Sequence, residues 1–118
     1  MSGFKVSVEH EISERRIMDL ITAGVEGGIN YWGGVSRYKW EGVEAGTVDL
    51  GDAVVIVEYV DEDENAVWPL TREAIADGLR IMGEKYPRHL RDFLADNEDA
   101  VTGDVFIQCA CLGEVVYA

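Results

Sequence analysis

Apolar positions recur along this chain with two different periods, and the switches between them predict its elements. Phe4, Val6 and Val8 alternate with Lys5, Ser7 and Glu9, the period of two expected of a half-buried strand. The period then lengthens. Ile17, Leu20, Ile21, Gly24, Val25 and Gly28 share one helical face, and Arg15, Arg16, Asp19, Thr22 and Glu26 fall mostly on the other. Ser13 is the expected N-cap of this helix, and Glu14 suits the positive end of its dipole. Gly27-Gly28 is expected to end it in a left-handed cap, a conformation open to a residue without a Cβ.

Beyond this helix the period of two returns. Val35, Arg37, Lys39, Glu41 and Val43 fall on one side of a predicted strand, and Ser36, Tyr38, Trp40 and Gly42 on the other. The stretch "EAGTVDLGD" (44–52) predicts a turn region, and the β-branched run "AVVIVEYV" (53–60) predicts the clearest strand. Pro69 and Thr71 are expected to open a second helix, with Thr71 as N-cap and Glu73 near its start. Ile75, Leu79 and Met82 form its apolar stripe. Pro87 stops that helix and begins a third, which carries Leu90, Phe93 and Leu94 on one side. The closing run "TGDVFIQCACLGEVVYA" (102–118) is long for one strand. It predicts a helix with Thr102 as N-cap and Asp104 in the first turn, ending at Gly113. The order predicts one α+β domain over residues 1–118: a small antiparallel sheet of three to four strands packed against about four helices.

Charge narrows the partners. The 118 residues carry 23 acids against 10 Lys and Arg, a net charge of -13. Such a field disfavours direct contact with nucleic-acid phosphates and favours a partner with a basic surface. No apolar run reaches the ~18 residues that cross a bilayer, so no membrane contact is expected. The N-terminus lacks the cationic start and apolar core of a signal peptide. A soluble, intracellular chain with reduced thiols is the expectation.

The candidate motifs mostly fail on spacing. Asp61, Glu62, Asp63, Glu64 and Asn65 resemble the opening of an EF-hand loop, which then needs Gly at its sixth position and Glu at its twelfth. Ala66 and Arg72 stand there instead, so the run reads as a solvated turn or an acidic docking patch. Cys109-x-Cys111 is too close for a zinc half-site and has no second pair, so both read as core residues. His10 and His89 have no nucleophile beside them in sequence. No metal, cofactor or enzyme activity is expected.

One stretch holds both glycines and aromatics: "EGGINYWGG" (26–34). It lacks the spacing of a phosphate loop. It reads either as a helix cap with a core plug, or as a ligand or interface site built on Glu26, Asn30, Tyr31, Trp32 and Trp40. Glu26 opposes the dipole in the last turn of its helix. Glycines allow close approach to the backbone, and aromatics beside them can anchor a partner.

The pairing of "LITAGVEGGINYW" (20–32) with "GDVFIQCACLGEVVYA" (103–118) resembles a group of small uncharacterised proteins of bacteriophages and prophages. The shared pattern is E-G-G-x-x-Y-W near the start and G-D-V/A-x-x-Q-x-A-x-x-G-E-V-V-Y at the end. The resemblance implies an accessory protein made in the bacterial cytoplasm, similar in kind to inhibitors of host defence, and transfers no catalytic residue. Three readings follow: a non-enzymatic modulator of a host protein with a basic surface; an oligomeric structural or assembly protein; and a small-molecule or nucleotide module using the Glu26–Trp32 region.

Overall fold

The structure is a computed structural model that describes residues 3–4, 11–40, 43–46, 55–59 and 67–117, with the backbone alone for 36–40, 43–46, 55–56 and 59. The described elements run α1 (Glu14–Gly27), β1 (Gly33–Trp40), β2 (Val43–Gly46), β3 (Val55–Tyr59), β4 (Val67–Pro69), α2 (Arg72–Lys85), α3 (Pro87–Leu94) and α4 (Ala100–Leu112). This is a small α+β fold. The strands form one antiparallel sheet in the order β2-β1-β3-β4.

The helix starts follow their capping residues. Ser13 Oγ accepts from Arg16 N at 3.2 Å, and Thr71 Oγ1 accepts from Ala74 N at 3.1 Å. Pro87 occupies the first turn of α3, where its missing N–H costs nothing. In α4 the expected N-cap is wrong by three residues. Asp99 caps the helix, its Oδ1 accepting from Thr102 N at 2.9 Å and from Thr102 Oγ1 at 3.1 Å. Thr102 is therefore the buried third residue of the helix, and Asp104 lies one turn deeper than a first-turn acid. The end at Gly113 holds, in the left-handed conformation with φ 80°.

Three further differences concern the first helix end and the sheet. Gly28, which caps α1, has φ -100°, so no left-handed cap forms at Gly27-Gly28. Residues 44–46 belong to β2 rather than to a turn, and Pro69 ends β4 rather than opening α2. Among the described residues Val67–Pro69 pairs with β3 alone and sits at the sheet edge, where a residue without an N–H is tolerated. The pairing of β1 with β3 also shifts between Val35 and Arg37, so one strict alternation does not run through that strand. Phe4 lies in no regular element and is exposed, and the rest of the strand expected at its position lies outside the described residues.

The core sits around α4. Residues 102–109 of that helix are buried without interruption, with α1 packed on one part of it and α2 on another. Such all-round burial explains why α4 shows apolar residues on every face. Among the described residues Phe93 and Phe106 are the largest fully buried side chains, each contributing about 1.5–3 kcal/mol by burial. The sheet reaches this core through Val35, Val57 and Trp68.

Candidate functional site

A glycine seam creates the site. An added Cβ on Gly103 of α4 would stand 2.2 Å from the backbone nitrogen of Gly24 in α1, and one on Gly28 would stand 2.4 Å from the carbonyl oxygen of Ala100. Only glycine permits this approach. The chain leaves α1 in a tight turn, with Trp32 N and Gly33 N both donating to Ile29 O at 2.8 Å. Ile29 is driven into the core, and the next aromatics meet α4.

What they meet is Asp104. Tyr31 Oη donates to Asp104 Oδ2 at 2.6 Å, and Trp32 Nε1 donates to Oδ1 at 2.8 Å. Gln108, one helical turn on, donates through Nε2 to the same Oδ1 at 2.9 Å. A buried carboxylate thus receives three neutral donors, which offset part of the cost of taking it out of water. Gln108 is itself completely buried and turns its amide to the segment after α4. Its Oε1 accepts from Val116 N at 2.8 Å and Tyr117 N at 2.9 Å, and its Nε2 lies 3.0 Å from Tyr117 O. The Tyr117 ring stacks on Trp32 at 5.4 Å and 12°, and Trp68 meets the same indole edge-on at 6.2 Å.

Beside this network lies a groove of about 590 Å³ whose walls include Gly27, Gly28, Tyr31, Val101, Val115 and Tyr117. Tyr31 and Val101 remain 54% and 59% exposed along it. The Tyr31 ring is largely in solvent while its hydroxyl is turned inward. Burial, and then the bond to Asp104, push its pKa up to about 12. The exposed acids Glu26, Asp99 and Glu114 stand next in sequence to Gly27, Ala100 and Val115 of the groove.

The expected site residues separate under this geometry. Tyr31 and Trp32 share the network. Glu26 and Asn30 are exposed outside it, joined by Asn30 Nδ2 donating to the Glu26 carbonyl at 3.5 Å. Glu26 finds no buried partner among the described residues. Trp40 ends β1, 8 residues after Trp32 in sequence, and its side chain lies outside the described part of the structure, as do Asp61, Glu62, Asp63 and Glu64. Trp32 is buried with one face covered by Tyr117, so it offers no open platform for a planar ligand. The residues missed in the sequence are Asp104, Gln108 and Tyr117. Two of them carried a signal: Asp104 and Gln108 are polar, four apart, in a mostly apolar helix, and so share a face.

The chemistry available is positional. Both oxygens of Asp104 are taken by internal donors, and Tyr31 holds its proton. Burial pushes the thiols of Cys109 and Cys111 up to about 11 and about 12, which suppresses the thiolate. Among the described residues no three His, Cys, Asp or Glu side chains are placed to hold a metal, and no helix is long and apolar enough to cross a membrane. Comparison with known proteins finds no match to a family model, to a curated sequence or to a solved structure.

Proposed function

We propose that this chain is a non-enzymatic binding protein that engages and modulates a protein partner through the groove beside Tyr31 and Val101. The groove carries the reading: it is apolar within, and the acids Glu26, Asp99 and Glu114 adjoin it in sequence. This suits a partner segment with an aliphatic or aromatic anchor flanked by Lys or Arg. The net charge of -13 supports a basic partner. The likeness of the two chain ends to phage and prophage proteins supports a host protein in the bacterial cytoplasm, with inhibition of a defence factor as the specific role.

The test is capture from a bacterial lysate at low salt, with mass spectrometry of what is retained. Each candidate is then titrated calorimetrically against the wild-type chain and Val101→Arg. Binding at least ten-fold weaker for Val101→Arg, and weaker again with added salt, supports the reading. A partner indifferent to both overturns it.

A further inference from the structure

We propose that the cleft between Gln108 and Trp32 is a peptide-recognition site for an extended aliphatic–tyrosine segment, and that residues 114–117 are its intramolecular occupant. The proposal does not require a partner in the neighbouring groove, although Val115 and Tyr117 also form walls of that groove.

The cleft reads backbone. The Gln108 carboxamide engages the N–H and the C=O of the same residue, Tyr117, at 2.9 and 3.0 Å. A neighbouring strand makes the same pair of bonds when a peptide is added to a sheet edge. Gln108 Oε1 also takes Val116 N at 2.8 Å, and one residue earlier Val115 N donates to Tyr86 Oη at 2.8 Å. Three successive amides of the segment are thus satisfied by side chains of α4 and of the α2–α3 junction, rather than by a helix or strand of their own. Gly113, in its left-handed conformation, turns the chain back to make this possible.

Side-chain selection falls on two positions, Val115 and Tyr117, both half-buried against the core. Val116 points away and is 57% exposed, so the cleft asks little of it. Tyr117 lays its ring on Trp32. The polar floor is prebuilt, because Gln108 is also held by Asp104 at 2.9 Å and lies within 3.3 Å of the Tyr31 hydroxyl. A fully buried amide fixed from behind and pointed at a peptide backbone is the arrangement expected of a binding site.

The tether gives the internal segment an effective concentration on the order of mM, so a free peptide competes only when the internal copy is weakened. The test uses full-length Tyr117→Ala, its folding checked by circular dichroism, and the capped hexapeptide Gly-Glu-Val-Val-Tyr-Ala. Titration is followed by tryptophan fluorescence and calorimetry. The expected result is binding at least ten-fold tighter to Tyr117→Ala than to the wild type, and none of the same peptide with alanine in place of its tyrosine. A folded Tyr117→Ala chain that ignores the hexapeptide up to about 5 mM overturns the proposal. Hydrogen exchange of the wild type gives an independent reading. The amides of Val115, Val116 and Tyr117 are expected to exchange together and at least ten-fold faster than those of Ile107 and Gln108. Exchange of all five only in one shared opening shows the segment to be integral to α4, and the proposal fails.

Discussion

The two ends of α1 are tied to the α3–α4 region by opposite chemistry. At its start, Arg16 lies 4.9 Å over the Phe93 ring, donates to Phe93 O at 2.8 Å, and pairs with Glu98 and, at 3.0 Å, with Asp96. That clamp is ionic, and Asp96 is open to water. Just past its end, Tyr31 and Trp32 reach a single buried carboxylate that is met only by neutral donors among the contacts described above. Screening by salt weakens the first kind of tie and hardly touches the second. Conversely, loss of the exposed Asp96 is tolerated because water can replace it, while loss of Asp104 leaves buried donors stranded.

The largest expected effect follows from that asymmetry. Asp104→Ala strands Trp32 Nε1 and loosens Gln108, and should cost about 3 kcal/mol in urea denaturation, equally at low and high salt. Tyr31→Phe removes one hydrogen bond to a charged group and should cost about 1.5 kcal/mol. Glu98→Gln keeps an acceptor for Arg16 but loses the charge. It should cost about 1 kcal/mol at low salt and less as salt is added. Equal costs for Asp104→Ala and Glu98→Gln, with the same salt dependence, would erase the contrast between the two ties.

Titration separates them in pH as well. The bond from Arg16 holds Glu98 below its ordinary value of 4.5, and the backbone bond from Thr102 holds Asp99 below 3.8. Groups with depressed folded values stabilise fully above their unfolded values, and the contribution disappears as pH falls through the folded ones. The contribution of the ionic tie is therefore expected to fall below about pH 4.5 and that of the α4 cap below about pH 3.8, followed by circular dichroism. Tyr31 behaves in the reverse sense. Its folded value, about 12, lies above the ordinary 10.0, so its contribution is whole below pH 10 and declines toward pH 12. Ultraviolet titration of tyrosinate in the wild type and Tyr31→Phe checks this, since the phase near pH 12 should vanish in the variant.

Most local signals were legible in the sequence, Asp99 as the cap of α4 excepted, and long-range ones were not. Ser13, Thr71, Pro87 and Gly113 act within a turn or so of chain, and each marks the helix boundary expected of it. Gly28 is different. Its neighbour in space is Ala100, so the approach that demands glycine is invisible to local rules, and a left-handed cap was the wrong explanation of the right residue. Tyr31 and Trp32 were identifiable as a possible site because glycines surround them, but their partners lie more than 70 residues away. The network thus joins two stretches far apart in sequence, Tyr31 and Trp32 after α1 and Asp104, Gln108 and Tyr117 in and after α4.

The seam at Gly103 also bears on how such a chain can diverge. Its missing Cβ faces backbone atoms of Gly24, at 2.2 Å to the nitrogen and 2.5 Å to the Cα, and not a side chain that a second mutation might trim. No exchange at position 24 can make room. An ordinary core contact drifts by paired changes, large for small; this one has no compensating partner. Position 103 is therefore expected to stay glycine in descendants of this sequence long after Val101 and Val116 on the surface have changed.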